Sequence, residues 1–120
     1  MELLLTRFWW LVVGHAVADY PLQGEAKATE KSRHSRSPLQ TQVPWFYWLS
    51  AHSLIHGGFV ALVTQSVWLG LAETILHWGI DFIKCEGWTS IHQDQGLHLG
   101  CKAAWAALAP YVPTTPFWPV

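Results

Sequence analysis

Eight side chains carry the chemical information in this sequence, in four pairs spaced i,i+4: His15/Asp19, His52/His56, His77/Asp81 and Asp94/His98. Residues four apart on an α-helix share a face, one turn apart. Each pair sits in or beside an apolar stretch, where Asp and His are costly unless they face partners or an ion. Imidazole and carboxylate ligands suit a divalent Zn, Mn or Fe ion. Eight such groups are too many for one four-coordinate ion and enough for two, and helical bundles hold dinuclear sites on inward-facing side chains. A pair of ions can activate a water and clamp a phosphoryl or acyl oxygen. Some of the eight could instead orient ligating imidazoles through the other ring nitrogen. A proton relay and a purely structural polar core are the alternatives, and metal binding is the preferred reading. His34, in a basic loop, and His92, at a helix start, stand apart as ordinary polar residues.

Order within the pairs matters as much as spacing. The first and third read His then Asp, and the fourth reads Asp then His. Antiparallel neighbours need that reversal to bring carboxylates to one level and imidazoles to another. The expected arrangement is a deep layer of His15, His56, His77 and His98 beneath an outer layer of Asp19, His52, Asp81 and Asp94. One turn deeper, Glu73 and Lys102 fall at a common level, which would account for a lysine in an apolar segment.

Four helices must position these groups. The first runs from Leu3 to about Ala18 and ends at Asp19-Tyr20-Pro21, because the residue before proline leaves the α region. The second runs from about Pro44 to Val67, with Pro44 suited to the first turn. A tight turn near Trp68-Leu69-Gly70 leads to the third, Leu71 to Lys84, and Ser90 can cap the fourth, Ile91 to about Leu108. Between the first two, Gln23 to Val43 reads as a solvent-facing basic loop with a short surface helix at Gly24 to Lys31. Residues 110–120, with four prolines, read as an irregular tail. Gly57, Gly58, Gly96 and Gly100 read as close-packing positions between helices.

The chain of 120 residues is one domain, 51% hydrophobic and only 12% charged, about half the charged share of an ordinary soluble protein. From Ser37 to Ala72 there is no Asp, Glu, Lys or Arg, a run longer than the roughly 20 residues that cross a bilayer. Tryptophans (Trp9/Trp10, Trp45/Trp48, Trp68, Trp88) stand near the ends of the apolar runs, as an interfacial belt would have them. The modest mean hydropathy of +0.18 and Lys102 pull the other way. An all-α, up-down-up-down transmembrane bundle is the expectation, with a soluble four-helix metalloprotein as the alternative. Lys27, Lys31, Arg33 and Arg36 fall in the first loop, with Lys84 on the same side. The positive-inside rule makes that side cytoplasmic and both termini periplasmic. His52 and His56 then lie roughly 10 and 16 Å along their helix, so the site faces the cytoplasm. A net charge of −1 argues against nucleic acid as partner. Cys85 and Cys101 read as small packing residues rather than a disulfide.

The strings Gly14-His15-x-x-Ala18-Asp19-Tyr20-Pro21-Leu22-Gln23, Ala51-His52-x-x-x-His56-Gly57, His77-x-x-x-Asp81-x-x-Lys84 and Asp94-Gln95-x-x-His98 together resemble a family of small bacteriophage and bacterial membrane proteins of unknown function. The resemblance covers roughly Gly14 to Trp105. It implies a phage or prophage source, in the host inner membrane, and places Gln23 and Lys84 in the site. A looser similarity of arrangement, to membrane-bound metal-dependent hydrolases, is analogy. The functional expectation is a metal-dependent hydrolase working at headgroup level on a lipid or lipid-linked substrate. Asp19, Asp81, Asp94 and the paired histidines would hold two ions, Lys84 would steady a developing anion, and Gln23 and Gln95 would contact substrate. The alternatives are a non-catalytic phage factor (infection exclusion or lysis accessory) with a structural metal, and a small metal or proton transporter. Homo-oligomers fit a protomer this small.

Overall fold

Helix boundaries follow local chemistry. Ser90 opens the last helix with a full capping box, its hydroxyl accepting from the Gln93 N–H while the Gln93 side chain accepts from the Ser90 N–H. Ser66 caps the preceding helix at Leu69. The chain between them reverses at Gly87, with φ 81, the left-handed conformation that glycine adopts without a Cβ clash. In this computed structural model, which describes residues 1–115 without the side chains of Glu25 and Lys27, the helices are α1 (Glu2–Asp19), α2 (Gly24–Glu30), α3 (Trp45–Thr64), α4 (Val67–Cys85) and α5 (Ile91–Leu108). The described residues hold no strand, so the protein is all-α. A 3-10 turn at Pro38–Thr41 precedes α3, and another at Ala109–Tyr111 follows α5. Pro116 and Pro119 of the predicted tail lie outside the described residues.

The four long helices form a square in the cyclic order α1, α3, α4, α5, each packed on two neighbours, with α3 against α4 the most extensive contact. Two shared levels in each pair show the alternating directions: His15 meets His56 while Asp19 meets His52, and Glu73 meets Lys102 while His77 meets His98. The predicted turn at Trp68–Gly70 belongs instead to the first turn of α4. The reversal is made by Gln65, at φ 55, and Ser66. Thr115 of the tail returns to this turn, donating its N–H to the Gln65 carbonyl (2.7 Å) and accepting from the Val67 N–H (2.6 Å).

The closeness of α3 and α4 depends on two glycines. A Cβ on Gly57 would collide with the Thr74 side chain, and one on Gly70 would stand 2.7 Å from both Ala61 Cβ and the Gly57 carbonyl oxygen. Gly58, Gly96 and Gly100 face open space, contrary to the expectation that they pack helices together. Gly57→Ala is therefore expected to lower stability by about 1–3 kcal/mol, and Gly58→Ala to cost nothing and raise it by up to about 1 kcal/mol through helix propensity; thermal unfolding of the two variants checks the contrast.

The distribution of polarity is inverted. Outside, Leu5 is 58%, Trp9 65%, Leu54 59%, Trp68 59% and Ile75 72% exposed. Inside, His52, Glu73, His77 and Lys102 are no more than 1% exposed. The apolar cluster of the interior lies at the end near the Gln65–Ser66 turn, where Leu11, Val60, Leu69, Trp105 and Ala106 form a plug, while Ala18 and Leu49 are buried apart from it. Among the described residues one helix, α3, is long and apolar enough to cross a membrane.

The segment between α1 and α3 is not simply a solvated loop. Glu30 and Lys31 are buried. Gln40 donates to the Glu30 carboxylate and carbonyl, and Ser35 donates to the same carboxylate. This strap crosses the end of the bundle opposite the plug.

Candidate metal centre

The helix geometry delivers the predicted layers. The rings of His15, His56, His77 and His98 form a tier, with centroids 5.0 Å apart for His15–His56, 3.7 Å for His56–His77, 4.1 Å for His77–His98 and 5.3 Å for His15–His98. His52 lies above it, 4.6 Å from the His56 ring. Above and between the rings stand Asp19, Asp81 and Asp94.

Each imidazole points its Nε2 at a carboxylate. His15, His52 and His56 stand 3.3, 3.3 and 2.9 Å from Asp19 oxygens. His52, His77 and His98 stand 3.3, 3.5 and 3.0 Å from Asp81 oxygens, and His98 is 3.3 Å from Asp94. His52 Nε2 thus lies equally close to Asp19 and Asp81. Yet His52 Nε2, His77 Nε2 and Asp94 Oδ1 are buried without a hydrogen-bond partner. Buried polar atoms are rarely left so. Three groupings could each hold a metal ion: Asp19/His52/His56/His77, Asp81/Asp94/His98 and Glu73/His77/His98.

The third grouping is better understood as support. Glu73 accepts from His77 Nδ1 (3.1 Å), Lys102 Nζ (2.6 Å) and Trp105 Nε1 (2.5 Å). An ammonium beside Glu73 repels a further cation there, whereas the bond to Nδ1 turns His77 Nε2 toward Asp81. Carboxylates commonly orient ligating histidines this way. The common level of Glu73 and Lys102 is as expected; Trp105 carried no signal in the sequence.

The two glutamines brace Asp19, Gln95 through its carboxylate and Gln23 through its backbone carbonyl. Gln95 donates to Asp19 (3.3 Å) and Asp94 (3.1 Å) while its oxygen lies 3.1 Å from His15 Nε2. Gln23 donates to the Asp19 carbonyl (3.1 Å) and accepts from Lys31. Lys84 is only partly buried. The amine that reaches the site is Lys31 on the strap, 2.8 Å from Asp81 Oδ2 and 2.7 Å from Gln23 Oε1. A loop that folds back has no periodicity to betray it, so nothing in the sequence separated Lys31 from Lys27 or Arg36. Cys85 and Cys101 are free thiols.

A clasp outside the bundle holds the strap. Arg33 engages Glu86 through both Nε and Nη2, the latter at 2.8 Å, and His34 Nε2 lies 3.0 Å from the same carboxylate. The Arg33 guanidinium, with His34, holds the Glu86 carboxyl down at about 2 from an ordinary 4.5. A depressed carboxyl contributes stability that is complete above its unfolded value and is lost as pH falls toward the folded one. Proteolytic nicking of residues 31–41 is therefore expected to rise between pH 4.5 and about 2. Glu86→Gln should be nicked readily at neutral pH and show little of that rise.

No known protein family, characterised protein or solved structure matches this chain. The fold and site define an all-helical protein with buried His/Asp groupings able to hold a metal ion.

Proposed function

We propose that the protein is an integral membrane, metal-dependent hydrolase whose two-ion centre opens at the cytoplasmic interface beneath the strap. The observation that carries this reading is the set of Nε2–carboxylate separations, 2.9–3.5 Å, several without hydrogen-bond geometry. Neighbouring ligand atoms on one ion, each about 2.1 Å from it, stand about 3.0 Å apart in an octahedral shell and about 3.4 Å in a tetrahedral one. The rings and carboxylates are thus spaced as ligands around a shared centre. Asp19, His52, His56 and His77 would hold one ion and Asp81, Asp94 and His98 the other, with His15 beside Asp19. Zn, Mn and Fe all suit this donor set. Bound there, the ions would supply an activated water and a positive clamp for an ester oxygen. Gln95 fixes Asp19 relative to Asp94, and Glu73 fixes His77.

Membrane embedding is supported by the exposed leucines, isoleucines and tryptophans surrounding a polar interior. The polar pairs themselves lower the hydropathy of the other long helices. The strap side is cytoplasmic by its basic residues. A phage or prophage source is carried by motif resemblance alone. The apolar plug closes the end of the bundle away from the strap, which favours a one-sided site over a transport path. A non-catalytic factor with a structural metal is the remaining reading, and it predicts that Asp81→Asn protein that still folds keeps its biological effect.

Elemental analysis of detergent-purified protein, beside a His56→Ala/His98→Ala variant, tests the centre. About two ions per chain, lost in the folded variant, is the expected result. No bound metal after reconstitution with excess zinc, manganese or iron would overturn it.

A further inference from the structure

We infer that Lys31, held by Gln23, is the anion anchor of this site, and that the ester it takes is a phosphoester. The inference rests on the two-ion reading above. Lys31 is 6% exposed, a rare state for a lysine that has a long stem and open water nearby. Its ammonium lies on the outer carboxylate tier, the side from which a substrate beneath the strap would approach. Gln40, Ser35 and the Arg33–Glu86 clasp hold the strap that carries it.

Charge decides the substrate class. Asp19, Asp81 and Asp94 set against Lys31 leave a formal charge of −2. Two divalent ions would invert this to +2, and Lys31 would no longer be needed to neutralise Asp81. A neutral carboxyl ester offers that excess no counter-charge. A phosphate group does, with oxygens for the ions and for a compact, mobile ammonium. Gln23, whose oxygen accepts from Lys31 at 2.7 Å, keeps the amine at the mouth when Asp81 turns to an ion. Lys84, a turn beyond Asp81, has the same charge but does not reach this tier, and it serves as the control.

The test is equilibrium dialysis of radiolabelled inorganic phosphate against the full-length, zinc-loaded protein in nanodiscs, with zinc content measured on every sample. Lys31→Met is expected to weaken phosphate binding about ten- to a hundredfold at unchanged zinc content. Lys31→Arg should stay within a few-fold of wild type, and Lys84→Met should match it. If the methionine variant does not fold, Lys31→Gln keeps a polar contact to Asp81 without the charge and should show the same loss. Unchanged binding in the neutral Lys31 variants, loss in Lys84→Met, or no phosphate binding to zinc-loaded wild type would each overturn the inference. Absence of zinc from wild type would instead remove the metal reading and the anchor with it. Competition by short-chain phosphatidic acid against glycerol phosphate identifies the source. Stronger displacement by the lipid marks a headgroup, and equal displacement a soluble phosphoester.

Discussion

Asp81→Asn is expected to lower metal affinity by more than a hundredfold, the largest loss from any single substitution in the centre. Asp81 is approached by His52, His77 and His98 and by the Lys31 ammonium, so one carboxylate serves two helix pairs and the strap. Asparagine keeps the shape but replaces a charged oxygen with an NH2 that faces ring nitrogens. Substituting a bracing residue such as Gln95 should cost only about 10–100-fold, the usual effect of a group that orients ligands. Metal binding also couples to folding. An ion held only by the folded state at a thousandfold excess over its dissociation constant adds about 4 kcal/mol of stability. Wild-type protein should therefore show a higher unfolding temperature with zinc than after chelation. Asp81→Asn should show almost no difference. Calorimetry or scanning fluorimetry with and without chelator reads this directly. A shift in the Asn variant as large as in wild type would place the ion elsewhere.

The parts of this protein that repeat were legible in its sequence. Period-3.6 spacing and the reversed Asp94/His98 order suffice to predict which residues share a level, because rigid antiparallel helices convert sequence position into depth. Ser90 was legible for a similar reason, since capping depends on a few neighbouring positions. Non-periodic features were hidden. Lys31 reaches Asp81 only because the strap folds back, and that path is set by Glu30, Gln40 and Arg33–Glu86 contacts between residues far apart in character or position. Gly57 and Gly58 look alike in sequence. Only the helix phase puts one against Thr74 and the other into open space. The misplaced turn has the same origin: Ser66 is a strong cap, but Gly70 drew attention as a turn residue when its lack of a Cβ serves the α3–α4 contact.

Lys102→Met is expected to destabilise the bundle by about 3–5 kcal/mol, since removing one partner strands a charge in the interior. Lys102 and Glu73 are each 1% exposed and joined at 2.6 Å. His77 and Trp105 would still donate to Glu73, but neither brings the full positive charge of the ammonium. Restoring neutrality should restore the fold. The Glu73→Gln/Lys102→Met double variant is expected to return to within about 1–2 kcal/mol of wild type, because a buried ion pair contributes little beyond a neutral replacement of similar volume. Its metal site should not recover equally. The neutral amide that replaces the Glu73 carboxylate accepts more weakly from His77 Nδ1, so metal affinity should remain about 10–100-fold below wild type. Unfolding in mixed detergent and metal titration of wild type and the two variants separate the two effects. If stability and metal affinity recovered together, the pair would be a structural strut alone. If stability recovered and affinity did not, the carboxylate at Glu73 would be what aims His77 at the centre, with Lys102 as its charge partner.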